Sequence, residues 1–107
     1  MLTKEIHNEA IQAAKTAVAD LRAKHGRRFT GCGFAWVDAY VKGNTKLGKS
    51  FIAQGFSKSY TGGYSLWDPA QTDDQDITEK EVGAQAYVDV ICKYMPEVKI
   101  YTGSRLD

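Results

Sequence analysis

Proline, cysteine, histidine and long apolar runs are all scarce in this sequence, and each scarcity excludes something. With two prolines in 107 residues, and 43% hydrophobic against 25% charged residues, the chain is neither a proline-rich linker nor a disordered polyelectrolyte. Two cysteines, Cys32 and Cys92, are too few for a secreted disulfide framework and read as buried thiols in a reducing compartment. The two histidines, His7 and His25, read as surface residues and have no neighbouring ligand pattern, so neither a zinc site nor a histidine base is signalled. The longest apolar stretches, such as Gly33 to Val37, fall far short of the roughly 20 residues that cross a bilayer, and the charged N-terminus is unlike a signal peptide. The expectation is a cytoplasmic protein with no membrane contact, no metal and no cofactor.

What is present suffices for one domain, because a chain of this length can bury a modest core without staples. From Thr3 to His25, Ile6, Ala10, Ala13, Ala14, Ala17, Val18 and Leu21 recur at spacings of three and four, an amphipathic helix closed by Gly26. Phe29 to Val41 mixes aromatic and β-branched residues with glycines, the composition of a central strand packed on both sides for part of its length. A turn at Gly43-Asn44 leads into a short helix, Thr45 to Gln54, and Tyr64 to Trp67 forms a short strand within a polar segment. Thr78 and Glu81 have capping-box spacing, with Ile77 and Val82 placed as a staple, so a second long helix begins there and runs until Pro96 stops it. Val98 to Tyr101 reads as a last strand. These elements predict a single α+β domain over residues 1–107, in the order α-β-α-β-α-β. A small three-stranded sheet is covered by two long helices on one face; strand order and oligomeric state stay open.

The net charge of +1 hides a dipolar chain. From Leu21 to Trp67 there are eight basic residues and one acid, Asp38, whereas Asp68 to Glu81 holds six acids and one base, Lys80. Either the two blocks pair across the folded surface, or the basic block forms an exposed face that attracts a polyanion. Arg27, Arg28, Lys42, Lys46, Lys49 and Lys58 interleave with Tyr60, Tyr64 and Trp67, a mixture in which lysines meet phosphates while aromatic faces accept unstacked bases. Phe51 and Phe56 belong to the core by the ordinary preference of large aromatics for burial. Tyr60 and Tyr64, beside Gly62-Gly63, are the more exposed pair.

Gly43 to Ser50, GNTKLGKS, matches the G-x-x-x-x-G-K-[ST] phosphate-loop pattern. In such a loop the backbone at Gly43 and Gly48 would cradle phosphates, Lys49 would reach the terminal ones and Ser50 would hold a magnesium ion. No apolar strand ending in an aspartate supplies the metal's second partner, and a parallel sheet of the size required does not fit in the remaining chain. Cys32, within an apolar strand, reads as an inert thiol. The run Asp73 to Asp76 lacks the glycine and the distant glutamate of a calcium loop.

At CGFAWV (Cys32 to Val37), GNTKLGK (Gly43 to Lys49), Gly55-Phe56, LWDP (Leu66 to Pro69) and GSRLD (Gly103 to Asp107), the chain resembles small uncharacterised accessory proteins of tailed bacteriophages over nearly its whole length. The resemblance implies a viral protein made in the host cytoplasm, with nucleic acid or host proteins as targets, and it carries no activity. The leading expectation is thus a non-enzymatic binding module whose cationic, aromatic-bearing surface contacts nucleic acid or an acidic host protein. Nucleotide or phosphate binding by the GNTKLGKS loop, as an enzyme or sensor, and a structural or assembly role are the alternatives.

Overall fold

In the computed structural model, which describes residues 1–26, 30–60, 62–73 and 75–107, the alanine-striped N-terminal segment is helix α1, Lys4–His25. Thr3 caps it, its hydroxyl accepting the Ile6 amide at 3.2 Å, and Gly26 ends it in a left-handed conformation. Ala10, Ala14 and Val18 form its buried stripe. Strand β1, Gly33–Ala39, leads to helix α2, Lys46–Ala53, then to strands β2, Ser57–Lys58, and β3, Tyr64–Trp67. Helix α3, Ile77–Tyr94, and strand β4, Ile100–Leu106, complete the chain.

The sheet has four antiparallel strands in the order β2-β3-β1-β4. From β1 onward the connectivity is therefore β-α-β-β-α-β, with α1 added in front. The α+β class and the two long helices against one side of the sheet agree with the sequence reading. The strand count does not: β2 has two residues, too few for any hydrophobic period, and exists through its pairing of Ser57 with Ser65 and Lys58 with Tyr64. Strand β4 also runs five residues past Tyr101, because the polar tail from Thr102 hydrogen-bonds along β1 at the sheet edge.

Phe51 and Phe56 are buried as expected, their rings 5.1 Å apart, with Tyr87, Ile91, Val37 and Ile100 in the same core. Burying a side chain of this size contributes about 1.5–3 kcal/mol. The cap of α3 lies two residues before the expected one. Asp76 receives the Glu79 amide at 3.1 Å, and also the amide and hydroxyl of Thr30 at 2.6 and 2.7 Å. An aspartate outcompetes Thr78 because it caps the helix and ties Thr30, three residues before β1, with one carboxylate. Both cysteines are exposed and unbonded, contrary to the buried thiols expected. Cys32 lies just before β1, and Cys92 lies on α3. His7 is half-buried, not a surface residue. It shares a 2.7 Å hydrogen bond with the fully buried Tyr87 hydroxyl, and burial lowers its pKa. Among the described residues no helix is long and apolar enough to cross a membrane.

Candidate functional site

Alternation along β1 separates its side chains into two sets. Gly33, Ala35, Val37 and Ala39 are buried under the helices, while Phe34, Trp36 and Asp38 point to the other face. Register then collects the neighbours of that second set. Trp67 and Ser65 of β3 lie opposite Trp36 and Asp38, and Arg105, Gly103 and Tyr101 of β4 lie opposite Phe34, Trp36 and Asp38. No helix or loop among the described residues covers these rings in full: Trp67 is 51% exposed, Tyr101 56% and Tyr40 44%.

The rings form two groups on this face. The Trp36 and Trp67 centroids are 4.7 Å apart with planes tilted by 31°, Phe34 meets Trp67 edge-on at 5.9 Å, and Tyr40 lies 5.9 Å from Tyr101. The Trp36 indole lies flat across β4 because position 103 is glycine; a Cβ there would come within 2.5 Å of the ring. Asp38 fixes the arrangement from the middle of the face, accepting Trp36 Nε1 at 2.9 Å and Ser65 Oγ at 2.5 Å. Beside them is a cleft of about 290 Å³, lined by Trp36, Asp38, Ser57, Lys58, Ser65 and Trp67 together with Ser59, Tyr60 and Arg105.

Cations border the rings. The Arg105 guanidinium stands 5.6 Å from the Phe34 centroid, and exposed Lys99 stands next to Tyr40, its carbonyl accepting the Tyr40 amide at 2.9 Å; Lys58 lines the cleft but pairs with Tyr64, whose side chain turns to the helices. Lys80, 5.5 Å from the Phe34 centroid, is buried, its ammonium also donating to Gln75 Oε1 at 3.5 Å. Among the described residues the acidic block does not reach this face, and Asp74 lies outside them. Asp73 and Glu79 bind Arg22 at 2.7 and 2.6 Å, Asp76 caps α3, Glu81 accepts the Ser104 hydroxyl on the helix side, and Asp68 turns back on Thr72. Among the described residues Lys42, Lys46, Lys49, Lys58, Lys99 and Arg105 form no ion pair.

The structure divides the residues singled out from sequence. Lys58, Tyr60 and Trp67 meet at the cleft. Lys42, Lys46 and Lys49 are exposed on the loop after β1 and on α2, outside the cleft. Tyr64 is half-buried against the core, since its parity in β3 turns it toward the helices. Arg27 and Arg28 lie outside the described residues. In GNTKLGKS, Gly43 begins a turn and the Thr45 amide binds Lys42 O; Thr45 Oγ accepts the Gly48 amide, and the Lys49 amide binds Thr45 O. Gly48 packs so closely on Lys42 O that a Cβ would approach to 1.8 Å. Ser50 Oγ is enclosed between Leu47 O at 2.6 Å and the Leu2 amide at 2.9 Å. The donors a phosphate would use at positions 45, 48 and 49 are thus spent on capping α2, and the hydroxyl a metal would use is spent inside the fold. Among the described residues no three His, Cys, Asp or Glu side chains gather as a metal site.

No family model, curated protein or solved structure matches this chain. Its chemistry must therefore be argued from the open face alone. Sequence reasoning missed most of that face: Phe34, Trp36, Asp38, Tyr40, Lys99, Tyr101 and Arg105. The signal was present in β1, where small and β-branched residues alternate with Phe34, Trp36 and Asp38, a pattern of one buried and one open side.

Proposed function

We propose that this chain is a non-enzymatic, phage-type accessory module that binds single-stranded nucleic acid on the open face of its sheet. Bases stack on Trp67 and on the Tyr40–Tyr101 pair, and phosphates are met by Arg105 and Lys99. The observation that carries the reading is the coincidence on one face of uncovered aromatic rings and cations with no carboxylate partner. An uncovered aromatic surface of this kind costs solvation unless something covers it, and π-faces bordered by cations suit unstacked bases joined by phosphates. A duplex suits the face less well, because its bases are stacked on one another and reading them takes a helix or ribbon inserted into a groove. An acidic host protein could pair with the cations but would leave the rings without a matching partner.

Fluorescence anisotropy with labelled single-stranded DNA and RNA at low salt tests the proposal. Trp67→Ala should weaken binding by roughly 5- to 150-fold, the equivalent of the 1–3 kcal/mol that one stacked base contributes. Absence of binding by the intact protein to either polymer, or unchanged affinity in the variant, would refute it. Tight capture of an acidic polypeptide under the same conditions would transfer the face to a protein partner.

A further inference from the structure

We infer that the cleft beside Trp36 and Trp67 is a pocket for one guanine base, read by Asp38. This inference rests on the proposed single-strand binding and adds base preference to it. At about 290 Å³ the cleft sits at the small end of ligand sites and has room for one base. Its walls supply a π-surface, Trp67 backed by Trp36, and a cation, Arg105, for a flanking phosphate.

At its base lies a carboxylate that is out of place in a surface built only for phosphates. Asp38 would repel a sugar-phosphate chain, yet it is fixed there by Trp36 Nε1 and Ser65 Oγ. A carboxylate offers about four lone-pair sites. These two donors use one on each oxygen, which leaves each oxygen able to accept a further hydrogen bond from a ligand in the cleft. An acceptor pair held rigid in this way selects a ligand edge with two adjacent N–H donors. Guanine presents N1–H beside its N2 amino group. Adenine and cytosine place a ring-nitrogen acceptor beside their amino group, and thymine or uracil flanks a single N–H with two carbonyls. Only guanine can satisfy both oxygens without setting an acceptor against the carboxylate, and charge-assisted bidentate pairs of this kind are the strong ones.

The experiment uses the full chain and seven-residue thymidine oligomers in which the central base is guanine, adenine, cytosine, thymine or hypoxanthine. Affinity is measured by anisotropy and by quenching of the tryptophan emission. The guanine oligomer should bind at least about fivefold more tightly than the others, the lower end of what a bidentate base contact discriminates. Hypoxanthine, which lacks the N2 amino group, should lose that advantage, and Asp38→Asn should abolish it. Five affinities within twofold of one another would overturn the guanine pocket while leaving the single-strand reading intact; no binding by any oligomer would overturn both. A guanine preference that survives in Asp38→Asn, or that hypoxanthine reproduces, would remove Asp38 from the recognition. The hypoxanthine comparison needs no protein variant, so the test stands even if Asp38→Asn does not fold.

Discussion

If phosphates are met by Arg105 and Lys99, the salt dependence of binding follows from counting them. Each phosphate neutralised on a single strand contributes about −0.7 to the slope of log affinity against log salt, so two contacts give a slope near −1.4. Between 50 and 200 mM salt the affinity should then fall by about 7-fold. Arg105→Gln should bring the slope to about −0.7. Trp67→Ala should lower the affinity by a similar factor at every salt concentration, because stacking releases no counterions. Lys46 and Lys49 lie on α2, away from the cleft, so their joint replacement by glutamine should leave the slope unchanged. Anisotropy titrations at four or five salt concentrations measure all of these on one instrument. A slope near zero in the intact protein would mean that phosphates are not contacted. A slope that responds to Lys46 and Lys49 as strongly as to Arg105 would move the binding track to α2 and refute the assignment to the sheet.

Two further predictions concern the scaffold behind the face. Arg22 binds the nearly buried Glu79 through Nε and a terminal nitrogen at 2.9 and 2.6 Å, and the same nitrogen reaches Asp73. These carboxylates raise the arginine pKa, the Glu79 hydrogen bond most. Arg22→Met strands the Glu79 charge and, discounting for the partial exposure of Arg22, should cost about 2–4 kcal/mol in urea unfolding, or a Tm lower by roughly 10–20 °C. A loss below about 0.5 kcal/mol would class the pair with surface ion pairs. At Asp76, burial raises the pKa, but the Thr30 hydrogen bonds and the Glu79 and Gly31 amides outweigh it and hold the carboxyl below its ordinary value. A depressed folded pKa means stability present above the unfolded value and lost as pH falls through the folded one. The wild type should therefore exceed Asp76→Asn by about 1–2 kcal/mol at pH 6, and the gap should begin to shrink below about pH 4 and close only below the depressed folded value; a gap independent of pH would contradict the charged cap.

The sequence by itself determined what depends on neighbours along the chain. The alanine stripe of α1, the capped start of α2 at Thr45, the stop at Pro96 and the burial of Phe51 and Phe56 all follow from local spacing and from the aversion of large apolar groups to water. The cap of α3 was a nearer contest, since Asp76-x-x-Glu79 and Thr78-x-x-Glu81 both have capping spacing, and Thr30, 46 positions away, favours the first. The open face was decided only by tertiary structure. Phe34, Trp67 and Arg105 are dispersed over 72 positions of sequence and become neighbours through strand pairing, a long-range choice that no local period encodes. The charge blocks divided for the same reason. Folding carried Arg22 to the acids and left Lys99 and Arg105 beside the rings, because which charges meet depends on which surfaces the core brings together.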